Sequence, residues 1–155
     1  MLETGTRAPA FDLADQDGRR HSLDQYRGRW LVVYFYPRDD TPGCTKEACS
    51  FRDAASELAA AGAIVLGVSA DDAAAHQRFA QKHGLGFPLL VDPDKSMLTA
   101  YGAWVEKESR GQRRMGVQRI TYVIDPEGQV AKAWPSVKAE GHAQEVLSAL
   151  TELQQ

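Results

Sequence analysis

The chain has 155 residues, of which 43% are hydrophobic and 25% are charged, and its formal net charge is -3. This length suits one folded unit with a full hydrophobic core, so we expect a single domain over residues 1–155. Lys and Arg number 18 against 21 Asp and Glu, and no basic stripe is present to contact phosphates. The composition therefore argues against nucleic acid or an anionic membrane as a partner.

Residues 1–10 lack the apolar core of a secretory signal, and no stretch approaches the length of a membrane-spanning helix. We therefore expect a cytoplasmic protein that has no membrane partner. In a reducing compartment the two cysteines, Cys44 and Cys49, are expected to be catalytic or redox-active rather than structural.

The first predicted elements are short. Residues 11–14 and 20–22 flank a polar turn that ends at Gly18, and together they predict a β-hairpin. Residues 22–28 predict one helical turn that is closed by Gly28.

Residues 30–36 form an unbroken apolar run, rich in β-branched and aromatic side chains and too short for an ordinary helix. Such a run predicts a strand that is covered on both faces, and therefore a central strand of its sheet. Pro37 ends the run, because proline cannot donate to the hydrogen bonds of a sheet. Thr41 suits the N-cap and Pro42 the first position of a helix, which we expect to extend over residues 42–61.

The rest of the chain alternates between strands and helices. We expect strands at residues 63–68, 88–92, 119–124 and 129–134, and helices between Asp72 and Gly84, at residues 95–101 and at residues 142–154. Polar residues 102–118, with arginines among glycines, predict a surface loop. Two fully apolar strands joined by a helix predict a βαβ unit with parallel strands. This unit, followed by a helix, a hairpin and a final helix, is the order expected of an α/β thioredoxin-like fold, in which helices flank a central mixed sheet.

Cys44 falls within the first turn of the helix that follows Thr41. Free N–H groups and the positive end of the helix dipole stabilise a thiolate there, and the thiolate is the nucleophilic form of cysteine. The alternative interpretation is a small buried hydrophobic residue, which is the usual fate of a lone cysteine. The strand-turn-helix setting and the second thiol, Cys49, weigh against that alternative.

The spacing of the two thiols limits what they can do. On a helical wheel the face of Cys44 is made of residues at three-and-four spacing, namely Cys44, Ala48, Phe51, Ala55 and Leu58. Cys49 lies about 140° around the helix from Cys44, and an intact helix would hold the two Cα atoms about 8–9 Å apart. That distance exceeds the ceiling of ~7 Å for a disulfide. Either the two cysteines never bond, or the helix opens before they do.

The segment from Tyr36 to Cys49, YPRDDTPGCTKEAC, resembles the active-site segment of the peroxiredoxins. More narrowly, it resembles the Q-type branch of that family, the bacterioferritin comigratory proteins. The likeness lies in a Pro-x(3)-Thr-x(2)-Cys core and in a second cysteine five residues after the first. Further likeness is found at residues 8–11, 116–125 and 134–135, so the resemblance covers nearly the whole chain.

The resemblance implies a thiol-dependent peroxidase that needs no metal or other cofactor and reduces hydrogen peroxide and organic hydroperoxides. It makes Cys44 the peroxidatic thiol, oxidised to a sulfenic acid, and Cys49 the resolving thiol that condenses with it. A dithiol, namely thioredoxin or a glutaredoxin-like reductant, is then expected to reduce the Cys44–Cys49 disulfide. Because a resolving thiol in the same helix needs no partner subunit, we expect a monomer.

Four further residues take roles from the resemblance. Thr41 and Gly43 are expected to bind the peroxide together with Cys44 and Arg119, with the Thr41 hydroxyl brought toward the sulfur. Pro37 is expected to stiffen the loop and shield the thiolate. Spacing alone favours an exposed strand-end charge for Arg119, whereas the resemblance assigns it to polarising thiolate and peroxide. A guanidinium suits that task because it stays charged and donates in a fixed fork.

The other polar residues predict no second site. The four histidines are scattered without metal-ligand spacing, which argues against a zinc site, and we expect each at the surface or at a helix cap: His21, His76, His83 and His142. Asp39 and Asp40 are expected in a solvated loop. Two other functions stay open. One is a thioredoxin-like disulfide reductase, which would require Cys-x-x-Cys where four residues intervene here, and the other is a non-catalytic redox-sensing domain.

Overall fold

The computed structural model describes residues 1–155, along which nine strands and five α-helices follow one another. The strands are β1 (Asp12–Ala14), β2 (Arg20–Ser22), β3 (Trp30–Phe35), β4 (Ala63–Ser69), β5 (Leu89–Val91), β6 (Trp104–Ser109), β7 (Gln112–Val117), β8 (Ile120–Ile124) and β9 (Val130–Trp134). The helices are α1 (Pro42–Asp53), α2 (Ala55–Ala60), α3 (Ala73–His83), α4 (Ser96–Ala100) and α5 (His142–Leu153). A single 3-10 turn covers Asp24–Tyr26, and no helix is both long and apolar enough to cross a membrane.

Five strands form the central sheet, in the order β5-β4-β3-β8-β9. Strand β3 lies in the middle, parallel to β4 and antiparallel to β8. Its residues from Leu31 to Phe35 are at most 1% exposed, which confirms the prediction of a central strand covered on both faces. The parallel pair β3 and β4, joined through α1 and α2, confirms the predicted βαβ unit.

Alternate residues of β3 supply two hydrophobic layers, one on each side of the sheet. Leu31, Val33 and Phe35 face a layer that also contains residues of α4 and of the N-terminal segment. The other layer contains Val32 and Tyr34 and is covered by side chains of α1, α3 and α5. Tyr36, which follows β3, also belongs to this second layer. The loop that connects β3 to α1 therefore begins on the side of the sheet that α1 and α3 cover, and the candidate site lies there.

The predicted helix over residues 42–61 is interrupted. At Ala54 the backbone departs from helical geometry, with φ -94 and ψ 7, and separates α1 from α2. Ala54 and Ala55 stand three and four residues after Phe51, so either could continue the buried face. The break turns Ala54 inward and leaves Ala55 exposed, whereas Leu58 stays buried as expected.

The prediction of a loop at residues 102–118 was wrong, because β6 and β7 form an antiparallel hairpin there. Arg110 and Gly111 make its two-residue turn, with φ 52 and φ 78. Most side chains of both strands are exposed, so no alternation of apolar and polar residues marks the hairpin in the sequence. The expectation that its arginines are solvated was right, since Arg113 and Arg114 are exposed.

Candidate active site

The first turn of α1 places Cys44 at the end of β3, inside the core layer that α1 shares with the sheet. Its side chain is only 1% exposed. Thr41 occupies the predicted N-cap position, with an extended backbone at φ -92 and ψ 156, but its hydroxyl makes no capping bond. The hydroxyl instead donates to the carbonyl oxygen of Arg38 at 3.0 Å, so it fixes the loop and does not reach the sulfur in this reduced form.

Arg119 reaches Cys44 because of the sheet register. Phe35, the last residue of β3, pairs with Ile120, the first residue of β8, and Arg119 directly precedes that pair. One guanidinium nitrogen, Nη2, lies 3.3 Å from Cys44 Sγ, and the other, Nη1, donates to Glu47 Oε1 at 2.6 Å. The two branches of one rigid fork thus contact the thiol and a carboxylate at the same time.

Glu47 is the site residue that sequence reasoning missed. Its side chain is 0% exposed, and its second oxygen, Oε2, has no hydrogen-bond partner. Burial raises the pKa of Glu47 to about 7, although the charge and hydrogen bond of Arg119 act in the opposite direction. A signal was available, because Glu47 stands three residues after Cys44 and therefore on the same helix face.

Arg119 and Tyr34 complete the electrostatic surroundings of the thiol. Burial disfavours the charged form of Arg119, but its electrostatic interactions and hydrogen bonds with Glu47 and Cys44 have the larger effect and raise the pKa of the guanidinium. The guanidinium therefore stays protonated. The Tyr34 hydroxyl is fully buried without a hydrogen-bond partner. Burial raises its pKa well above the ordinary value, and the nearby Glu47 and Cys44 raise it further, so it stays neutral.

Gly43 lies against Arg119, whereas Pro37 is exposed. A Cβ atom on Gly43 would lie 3.2 Å from Arg119 Nη2, so a larger residue would require the guanidinium to shift by a few tenths of an ångström. Pro37 is exposed at the start of the loop, as is Pro42 at the start of the helix. Cys44, Gly43 and Arg119 therefore meet at the start of α1, and Thr41 is the N-cap residue of that helix. The structure shows no contact that brings Pro37 to the thiol.

Cys49 lies apart from this group, half-buried on the same helix. Both cysteines are free, and α1 runs without a break from Pro42 to Asp53. Helix geometry then places their Cα atoms about 8–9 Å apart. The expectation that the reduced protein holds its two thiols apart on one regular helix is confirmed.

The prediction that the histidines lie at the surface or at helix caps was wrong for three of the four. His21, His76 and His142 are buried, and His83 is partly exposed. Both ring nitrogens of each buried histidine are engaged: with Asp15 and Tyr26, with Asp39 and Leu90, and with Glu145 and Thr121, respectively. Buried polar rings require such partners. Some of them, such as Leu90 for His76 and Thr121 for His142, lie too far along the chain to be read from local sequence.

Asp39 also departs from expectation, since its side chain is buried rather than solvated. Potential metal-binding atoms of Asp39, Asp71 and His76 lie within 4.8 Å of one another. They are hydrogen-bonded to one another or to neighbouring hydroxyl and backbone groups. The cluster is therefore a closed hydrogen-bond network.

Comparison with known proteins identifies the family. The sequence model described as the AhpC/TSA family matches residues 4–133. The chain belongs to the peroxiredoxin (AhpC/TSA) family. This peroxiredoxin is 41% identical to peroxiredoxin Bcp of Bacillus subtilis over 152 residues, covering 98% of this chain and 97% of the relative. It is also 41% identical to peroxiredoxin Bcp of Escherichia coli K12 over 151 residues, covering 97% of each.

Solved structures give the same result. The bacterioferritin comigratory protein of Xanthomonas campestris superimposes with a TM-score of 0.93 at 39% identity, covering 99% of this chain and 100% of that one. Peroxiredoxin Q of Xylella fastidiosa superimposes with a TM-score of 0.94 at 33% identity, covering 100% and 99%. The predicted α/β thioredoxin-like fold and the predicted Q-type branch are thereby confirmed, and the enzyme is a thiol-dependent peroxidase.

Proposed function

We propose that Cys44 is the thiol that attacks the peroxide and that Cys49 resolves the product, with hydrogen peroxide and organic hydroperoxides as substrates. The observation that carries the proposal is the contact of 3.3 Å between Arg119 Nη2 and Cys44 Sγ. The Xanthomonas campestris relative, studied for its alkyl peroxide reduction activity, supports the substrate class.

The first step oxidises Cys44. Arg119 stays charged and donates toward the sulfur, which favours the thiolate over the thiol. The thiolate attacks one peroxide oxygen, the O–O bond breaks, and Cys44 becomes a sulfenic acid. The second oxygen leaves with the bonding electron pair and takes up a proton, giving water or an alcohol. Arg119 is placed to stabilise the negative charge that develops on that oxygen.

The end of α1 supplies the rest of the peroxide site. The backbone N–H groups of Gly43 and Cys44 donate to no backbone acceptor, because they belong to the first turn of the helix. These N–H groups form the positive end of the helix dipole, where oxygen atoms that carry negative charge bind well. We assign Thr41 to fixing the loop that leads into this turn, and Pro37 to stiffening it and limiting access to the thiolate.

The second step forms the disulfide. The Cys49 thiolate attacks the sulfenic sulfur of Cys44, the S–O bond breaks, and the oxygen leaves as water after it takes up a proton. The distance along the intact helix forbids this bond, so the first turns of α1 must unwind. A dithiol then reduces the disulfide through a mixed disulfide, and thioredoxin or a glutaredoxin-like protein supplies that dithiol.

This cycle needs no cofactor and no second subunit, because both thiols belong to one helix. We therefore propose that the chain acts as a single domain and a monomer. It requires a dithiol reductant at every turnover, which places it in a reducing compartment, the cytoplasm.

The experiment is peroxide consumption in the presence of thioredoxin, thioredoxin reductase and NADPH. We expect turnover in the unaltered protein, none in Cys44→Ser, and a single oxidation without turnover in Cys49→Ser. Sustained peroxide reduction by Cys44→Ser would refute the assignment of the nucleophile. Sedimentation velocity of the reduced and oxidised forms tests the monomer, and a dimer in either form would contradict it.

A further inference from the structure

The loop between β3 and α1 is fastened to α3 by buried hydrogen bonds that the peroxidase steps above leave unused. Asp39 lies at the centre of them. One oxygen of its carboxylate accepts from the Tyr36 hydroxyl at 2.6 Å, and the other lies 2.6 Å from Nδ1 of His76. The Asp39 backbone N–H donates to the Asp71 carboxylate at 2.9 Å, which in turn accepts from the Ser69 hydroxyl at 2.7 Å.

The two contacts of His76 determine how many protons the network contains. Its Nε2 lies 2.9 Å from the carbonyl oxygen of Leu90, and a carbonyl only accepts, so Nε2 carries hydrogen. A second hydrogen must lie between Nδ1 and the Asp39 oxygen, because a bare nitrogen lone pair facing a carboxylate at 2.6 Å is repulsive. The pair therefore holds one proton more than a neutral imidazole beside a carboxylate.

No neighbouring group can replace the hydrogen bond between His76 and Asp39 once the shared proton is lost. The His76 side chain is 0% exposed and that of Asp39 is 5% exposed, so water cannot replace the missing bond. Either the carboxylate moves away from the ring, or the ring turns and loses Leu90. Since Asp39 stands two residues before Thr41, movement of its carboxylate displaces the loop that enters α1.

The groups that face His76 keep the proton in place. Burial lowers the pKa of His76, but the hydrogen bond and charge of Asp39, followed by the Leu90 carbonyl and the charge of Asp71, outweigh burial and raise it. From β3 the ring of Tyr36 faces it, with centroids 6.4 Å apart. On its own helix the Asp72 carboxylate is engaged by the N–H of Ala75. A raised pKa means that the bond stabilises the fold at lower pH and is lost as pH rises through that pKa.

We propose that His76 is a positioning residue for the peroxidase reaction. By sharing a proton with Asp39 it holds the loop in the conformation that places Thr41 and the first turn of α1 for peroxide binding, and loss of that proton at alkaline pH releases the loop. This proposal rests on the proposed function, since it takes the end of α1 to be the peroxide site.

The decisive measurement follows the unaltered, reduced protein by NMR while the pH is raised, with labelled histidine rings and backbone amides. We expect the ring of His76 to lose its proton at a pH above the ordinary value, and the amides of residues 38–41 to shift with the same midpoint. Loop amides that do not respond to the titration of His76 would overturn the proposal. This readout needs no peroxide, so it decides the coupling even if the proposed function fails.

A kinetic measurement then connects the loop to the reaction. The rate of Cys44 oxidation by hydrogen peroxide is measured by stopped flow from neutral to alkaline pH, and we expect an alkaline fall with the NMR midpoint. His76→Gln can donate to Asp39 but cannot share a titrating proton. Because small displacements of reacting groups cost large factors in rate, we expect it to react at least about tenfold more slowly at neutral pH and to lose the alkaline fall.

His21→Gln is the matched control, because it removes another buried histidine–carboxylate pair, in which His21 Nε2 lies 2.7 Å from Asp15. The other hydrogen bonds of these two side chains go to Tyr26, Asp17 and Arg19 and not to the loop. It should keep the pH profile of the unaltered protein even if its stability falls. A His76→Gln variant with the unaltered rate and pH profile, or a His21→Gln variant that loses the alkaline fall equally, would refute the positioning role. If His76→Gln fails to fold, the NMR titration of the unaltered protein still decides.

Discussion

Replacing Glu47 by Gln should stabilise the fold at alkaline pH and slow the peroxide reaction. The carboxylate is 0% exposed and its one charged partner, Arg119, contacts it at 2.6 Å. Glutamine keeps the shape and an oxygen that can accept from Arg119, but it removes the negative charge. The effect on stability depends on whether the desolvation penalty of the buried charge exceeds its favourable interaction with Arg119.

The pKa of Glu47 gives the magnitude. It is raised from 4.5 to about 7, and since each pH unit corresponds to ~1.4 kcal/mol, ionised Glu47 costs the folded state about 3 kcal/mol. Because this pKa is raised on folding, protonated Glu47 stabilises the fold fully below pH 4.5, and this stabilisation is lost as pH rises through about 7. Glu47→Gln should therefore be more stable than the unaltered protein by about 3 kcal/mol at pH 8, and the gain should shrink to about 1 kcal/mol at pH 5.

Urea unfolding of the reduced proteins at pH 5 and pH 8 measures this difference, with the exposed Glu57→Gln as the matched control that should show no pH-dependent gain. The stopped-flow rate of Cys44 oxidation should fall about tenfold in Glu47→Gln, because a neutral amide holds the guanidinium less tightly than a carboxylate does. A Glu47→Gln variant that is destabilised equally at both pH values would show that the ion pair, and not burial, dominates the energy of Glu47.

Three further predictions concern the same end of α1. Arg119→Lys keeps the charge but loses the fork, so we expect the rate of Cys44 oxidation to fall by a factor of about 100 or more. A rate within twofold of the unaltered protein would contradict this prediction. The exposed Arg113→Lys is the control. Gly43→Ala should slow oxidation of Cys44 several-fold, because the added Cβ displaces Arg119 Nη2. The same change should raise the stability of the helix by up to ~1 kcal/mol. An unchanged rate would show that the close contact between Gly43 and Arg119 does not matter for the reaction. In the disulfide form, amides of residues 43–50 should lose hydrogen-exchange protection, and equal protection in both forms, with the disulfide confirmed, refutes the unwinding.

The sequence predicts the elements that are organised by local pattern. The apolar run of residues 30–36 is the central strand because burial on both faces requires apolar side chains at every position. Thr41 and Pro42 mark the start of α1, and that mark places Cys44 in its first turn. The hairpin of β6 and β7 escapes prediction for the opposite reason, since exposed strands need no apolar pattern.

The parts of the site that could not be predicted depend on contacts between distant residues. The approach of Arg119 to Cys44 follows from the pairing of β3 with β8, so only the family resemblance indicated it. The contact between Glu47 and Arg119 joins residues that are 72 positions apart in the chain. His76 is buried because Asp39 and Leu90 accept from it, and neither partner is visible in the local sequence of α3.

Rapid-quench mass spectrometry after one equivalent of hydrogen peroxide tests the central claim most directly, namely that Cys44 reacts first and that Cys49 resolves it through an opened helix. The unaltered protein should lose two hydrogen atoms as a Cys44–Cys49 disulfide, after a transient species that carries one added oxygen on Cys44. Cys49→Ser should form the same oxygen adduct at the same rate and stop there. Formation of the adduct on Cys49, or equally fast oxidation of Cys44→Ser, would contradict the account.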